Sequence, residues 1–127
     1  MTEEIVLTLP RQRRYYDVAH LVVGGLAARL DLTVDTLADL QTALDGLLPR
    51  EQADGEVTVV LRLNGGVLAG RIGPFDARLL DRELANQGDG YGTKLVLETV
   101  FESYRIAEEE GGAWVDFTMP MQTNGDS

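Results

Sequence analysis

Ile5, Leu7 and Leu9 alternate with Val6 and Thr8, which is the period of a strand with one buried face, and Pro10 closes the run. From Tyr15 the spacing changes to threes and fours. Tyr15, Val18, Ala19, Val22, Leu26 and Leu30 fall on one side of a helix, with Gly24 and Gly25 either weakening it or letting a neighbour pack close. A second helix is predicted from a cap at Asp31 or Thr33, with Val34, Leu37, Leu40, Leu44 and Leu47 on its apolar side and Pro49 as its stop. Arg50 to Gly55 reads as polar loop. Val57, Val59, Leu61 and Leu63 then alternate with Thr58, Val60 and Arg62. Asn64-Gly65 is a hairpin dipeptide, and Val67 to Ile72 forms the return strand. Gly73-Pro74 predicts a break, followed by a short amphipathic helix carrying Phe75, Leu79, Leu80 and Leu84. Leu95 to Phe101 is a further apolar helix. Tyr104 and Ile106 belong to a strand, Gly111-Gly112 to its turn, and Ala113, Val115, Phe117 and Met119 to the return strand, with Trp114 on the opposite face.

Strand, two helices, hairpin, short helix, helix, hairpin is an order that suits a two-layer α/β (α+β) sandwich, a mixed and mostly antiparallel sheet with helices on one face. With 127 residues and no internal repeat, the chain is predicted to form one domain over residues 1–121, with a polar, mobile tail over 122–127.

Charge narrows the partners. The formal net charge of -10, from 21 acidic and 11 basic side chains, argues against binding nucleic acid, whose affinity rests on cationic neutralisation of phosphates. No cysteine is present, which excludes disulfides, thiolate metal sites and thiol nucleophiles. The opening Met-Thr-Glu-Glu lacks the basic and apolar regions of a secretory signal, and no apolar run approaches the ~20 residues that span a bilayer. A cytoplasmic protein with no membrane partner is expected.

Candidate chemistry lies mainly in Gly88-Asp89-Gly90-Tyr91-Gly92, followed by Thr93 and Lys94 at the start of the apolar helix. Backbone N–H groups and the positive end of a helix dipole converge where such a loop opens a helix, so a phosphate can sit there, and Lys94 is placed to meet it as a point charge. A plain turn would read the same way. His20 has no neighbour at metal or triad spacing and reads as structural.

Four stretches carry a resemblance to a known family: Val6-Leu7-Thr8-Leu9-Pro10, Asp39-Leu40-Gln41-Thr42-Ala43-Leu44-Asp45, Gly73-Pro74-Phe75-Asp76, and Gly90-Tyr91-Gly92 onward to Pro120. Their order and spacing resemble the histidine-kinase-like ATPase fold, in particular the anti-sigma serine kinases of the RsbW and SpoIIAB type. The resemblance implies that fold, and an ATP site with magnesium built on the glycine boxes at Gly88, Gly90, Gly92, Thr93 and Lys94. In that family the second helix carries a catalytic glutamate and, one turn on, a magnesium-binding asparagine. Here those positions fall on Gly46 and Arg50, neither of which can act as base or metal ligand. Asp45 lies one position away, turned by about 100° on a helix, and reads as a surface carboxylate or, in an active kinase, as the base. The family's adenine-reading aspartate is replaced by Arg71 and Ile72.

Loss of base, metal ligand and adenine reader together implies a pseudokinase, with no cofactor and no metal expected and ATP with magnesium as the alternative. The surviving role would be that of a bacterial regulator of transcription, an anti-sigma factor that holds a sigma factor or an anti-anti-sigma type regulator by protein contact. Homodimer and heterodimer are both compatible with the resemblance, the latter as a structural partner of an intact paralogue. For that contact Arg11, Arg13 and Arg14 offer a basic cluster in an acidic chain, or simply a solvated run of charge. Of the adjacent Tyr15 and Tyr16, one is expected to be an exposed aromatic suited to an interface.

Overall fold

The computed structural model describes residues 3–47, 55–78, 80–81, 93–109 and 112–123. Its elements are β1 (Glu3–Pro10), a 3-10 turn (Arg13–Tyr15), α1 (Tyr16–Leu30), α2 (Val34–Leu47), β2 (Glu56–Asn64), β3 (Val67–Phe75), α3 (Thr93–Val100), β4 (Ser103–Glu109) and β5 (Gly112–Pro120). Among the described residues the strands form one five-stranded sheet in the order β1-β2-β3-β5-β4, antiparallel at every pairing. The sheet is thus antiparallel throughout rather than mixed.

Register sorts the side chains onto two faces. Leu9 pairs with Val57, Leu7 with Val59 and Ile5 with Leu61, and on the same side Ile72 meets Val115 and Leu68 meets Met119. These residues, with Leu63, Ala113 and Phe117, form the sheet's half of the core. The helices supply the other half. α2 contributes Leu40, Ala43, Leu44 and Leu47, all fully buried, and it touches both α1 and α3. Phe101, just beyond α3, stacks on Phe117 with ring centroids 4.1 Å apart and planes 11° apart.

Local chemistry explains the joints. Thr33 is the cap of α2: its Oγ1 accepts the Thr36 N–H at 3.1 Å. Asp31 instead terminates α1 in the left-handed region, at φ 54°, where its N–H reaches the carbonyls of Ala27 and Ala28. The β2–β3 hairpin turns on Gly65 and Gly66, at φ 57° and 86°, with Asn64 as the last strand residue paired to Val67. Two positive-φ centres are what a type I′ turn requires, so the turn sits one residue later than Asn64-Gly65.

Several predicted features move. β3 does not stop at Ile72: it runs through Gly73-Pro74, a cis peptide, to Phe75, with an irregularity in the β3–β5 register between Ile72 and Phe75. Phe75 is therefore a buried strand residue, and the following helical turn buries Leu80, whose N–H bonds the Asp76 carbonyl at 3.0 Å. The buried side of α1 is Ala19, Val23, Leu26 and Ala27, leaving Val18 exposed. α1 is apolar nearly all round, so periodicity alone does not select its core face. Val34 is exposed too, at the first position of α2. Gln122 and Thr123 do not begin a free tail. The Gln122 carbonyl accepts the Thr33 N–H at 2.8 Å, its N–H bonds the buried Thr36 hydroxyl at 3.2 Å, and Thr123 bridges to Leu32. Leu79, Leu84, Pro49 and the polar loop before Gly55 lie outside the described residues.

Candidate functional site

Asp45 sits in the last turn of α2 on the solvent side, its side chain 69% exposed. Its Oδ1 lies 2.7 Å from Nε2 of His20 on α1. His20 therefore has a partner, 25 residues away in sequence, that spacing rules for metals and triads do not reach. The pair ties α1 to α2 at the surface. Gly46, where the family resemblance calls for a base, follows it on α2 without a side chain, and Arg50 lies outside the described residues.

The glycine turn at Gly88, Gly90 and Gly92 is likewise outside the described residues, so its geometry carries no argument. Thr93 and Lys94 are the first two residues of α3. At the position of the adenine reader, Ile72 is fully buried in the apolar core. Arg71 projects to the opposite, open face of the sheet, where Nη2 donates to Glu109 Oε2 at 2.7 Å and Nε to Asp116 Oδ1 at 2.9 Å. The guanidinium also lies 4.5 Å from the centroid of the Trp114 ring. Its hydrogen bond to Glu109, with help from Asp116, raises the Arg71 pKa against the opposing effect of burial. Neither side chain presents an acceptor to a base amino group on the helical side, so this position does not fit adenine.

The open face holds the polar features that linear reading does not single out. Arg71, Glu109, Asp116, Arg62 and Val60 line a hollow of 340 Å³ floored by Ala69 and Gly70. Arg105 approaches Asp116 Oδ2 at 3.8 Å, and Arg62 donates to Glu4 Oε2 at 3.1 Å. The signal was present in the alternation of β3 and β5, which places Arg71 opposite Asp116 once the strands are paired.

The basic cluster divides. Arg11 turns inward: its guanidinium donates to the Pro74 carbonyl and lies 5.9 Å from the Phe75 ring centroid, while its N–H bonds the Gly55 carbonyl at 3.0 Å. Burial lowers its pKa, opposed by the charge interaction with Tyr16. Arg13 and Arg14 are exposed on the 3-10 turn, and Arg14 bonds Gln12 Oε1 through Nε and Nη2 at 3.0 and 2.8 Å. Tyr15 and Tyr16 both pack, half-buried, against the core. The helical 100° rule that would expose one of them does not apply across the joint between the 3-10 turn and α1.

No family model matches the sequence, and no curated protein matches it. Among solved structures, the RsbU and RsbW domains of Rv1364c from Mycobacterium tuberculosis are similar to 98% of this chain, with a TM-score of 0.69 and 14% identity. The chain spans about a third of that protein's length, 35%. The architecture is that of the RsbW-type domain: an antiparallel sheet with its helices on one face. Among the described residues no helix is long and apolar enough to cross a membrane.

Proposed function

We propose that this chain is a bacterial regulatory protein of the anti-sigma type, acting in the cytoplasm by holding a protein partner and transferring no phosphate. The partner would be a sigma factor or an anti-anti-sigma type regulator. The observation that carries the reading is the set of side chains at the positions where an RsbW-like kinase needs its base, metal ligand and adenine reader. They are Gly46, Arg50, and the pair Arg71 and Ile72, of which Ile72 is core and Arg71 is engaged on the far side of the sheet. Phosphoryl transfer depends on metal and positioning, so a domain without them keeps the fold and loses the chemistry. Arg13 and Arg14 are the accessible members of the basic cluster and suit an acidic partner surface.

Two measurements test this. Calorimetry with ATP and ADP, with and without magnesium, is expected to show no magnesium-dependent binding at millimolar nucleotide, and thermal shift no stabilisation. A stable complex with a cognate regulator is expected, and phosphoserine appearing on that regulator would overturn the proposal. A second reading, an active serine kinase, is favoured by one contact: the carboxylate–imidazole pair of Asp45 and His20 resembles an oriented base. It requires ATP turnover that Asp45→Ala abolishes. Turnover unchanged in that variant would remove the base.

A further inference from the structure

The open face of the sheet carries charges of both signs around a hollow. Strand register sets its plan: Arg62 on β2 pairs with Ala69 on β3, Ala69 with Thr118 on β5, and Arg71 faces Asp116 one row along. Ala69 is small among longer neighbours. The hollow of 340 Å³ opens above it, within the range of small-ligand sites, about 300–1,000 Å³. Its walls are held by bonds within the protein. Arg71 donates from Nε to Asp116 and from Nη2 to Glu109, and its guanidinium lies 4.5 Å from the centroid of the Trp114 ring, which packs where a side chain at Gly73 would stand. Arg62 donates from Nε and Nη2 to one oxygen of Glu4. Side chains already ordered in this way lose little freedom when a ligand arrives.

We infer that this hollow is a site for a dipolar ligand of the α-amino acid class, with its carboxylate on Arg62 and its ammonium on Asp116. Two atoms of opposite character remain open. Among the described residues Arg62 Nη1 donates to no acceptor, and Asp116 Oδ2 accepts no hydrogen bond: Arg105 approaches it only to 3.8 Å, beyond hydrogen-bond reach. β2 and β5, which carry the two residues, are separated in the sheet by β3 alone, so their backbones lie about 10 Å apart. An α-amino acid with a charge-assisted hydrogen bond of about 2.8 Å at each end fits that span. Sign disfavours the simpler classes. A bare anion meets Asp116 and Glu109 in the wall and the field of a chain with net charge -10, and a bare cation meets Arg62 and Arg71. A ligand carrying both charges a short distance apart satisfies both ends. The Asp116 and Arg71 side chains are 30% and 33% exposed, so their charges are screened less than fully solvated ones. An adjoining hollow of 470 Å³ shares Ala69, Gly70 and Asp116 and gives room for the ligand's side chain.

The site lies on the side of the sheet away from the helices and does not depend on the regulator-binding reading. L-Alanine is the probe, because its two halves exist separately as propionate and ethylammonium. Titration of isotope-labelled protein with L-alanine near neutral pH is expected to move the amide resonances of Ala69, Gly70 and Asp116 saturably in the millimolar range. The fluorescence of Trp114, the chain's one tryptophan, should change in parallel. Propionate and ethylammonium should each bind about tenfold more weakly or worse, since each leaves one charged group unmet. Arg62→Met, which keeps the stem and removes the cation, should weaken L-alanine binding about tenfold, with Arg62→Lys restoring part of it. Ala69→Leu, which fills the hollow, should abolish binding. Leu21→Gln, on the exposed side of α1, should leave it unchanged. Circular dichroism checks that each variant is folded. Absence of saturable shifts with L-alanine, propionate binding as tightly as L-alanine, or binding indifferent to Ala69→Leu would each overturn the proposal.

Discussion

A side chain at position 70 has nowhere to go. A Cβ added to Gly70 would lie 2.4 Å from Cζ of Phe117 and 2.9 Å from the Val60 carbonyl, because the Phe117 ring lies over the glycine and stacks on Phe101. Gly70→Ala is expected to cost about 1–3 kcal/mol by overpacking, read as a lower urea midpoint at unchanged m-value. Thr33 works through one oxygen. Thr33→Ala removes the cap of α2 and a partner of the buried Thr36 hydroxyl, and should lower stability by ~1 kcal/mol, with Thr33→Ser restoring most of it. Tyr104 carries a pH dependence. Burial, and then the charge of Glu98, raise its pKa above the ordinary tyrosine value of 10.0. The folded state therefore holds the phenol proton where the unfolded chain has released it. Stability is fully present below that value and falls as pH rises through and beyond it. Tyr104→Phe should flatten the alkaline limb of a pH–stability curve, and an unchanged limb would assign the loss to other groups.

Among the elements, strands were the more legible. In β2 and β5 buried and outward positions alternate strictly, because each strand has one face on the core and one on the open side, and the sequence follows that alternation except at Val60 and Trp114, which are apolar on the outer face. α1 was legible as a helix but not in its orientation. Val18, Val22 and Val23 are equally apolar, and only the positions of α2 and the sheet decide that Val23 turns inward. β3 shows the converse. Gly73-Pro74 reads as a stop in linear sequence, yet the pairing with β5 carries the strand on to Phe75, and the Trp114 ring packs where a side chain at Gly73 would stand. The network around Arg71 trims the open face. Its ion pairs are partly exposed, so Arg71→Met should change stability by under about 1 kcal/mol, and the difference from wild type should shrink in high salt.

For the molecule as a whole, the helix-on-sheet order and the apolar core follow from patterns that one sequence displays, whereas the antiparallel sense of every strand pairing, where a mixed sheet was expected, was decided by the tertiary structure. Periodicity is a property of each segment, and burying one face of each segment leaves few arrangements open. The chemistry of Gly46 and Arg50 was also legible, since neither side chain can serve as a base or a metal ligand in any fold. What tertiary structure alone decided are relations between distant residues. It brought His20 to Asp45, turned Arg11 away from solvent onto the Pro74 carbonyl, gathered Arg71, Trp114, Glu109 and Asp116 on one face, and left Leu21 outside. Local propensity depends on neighbours within a few positions. Which of several equivalent apolar faces is buried, and which charges meet, depends on packing between segments that the linear order does not encode singly.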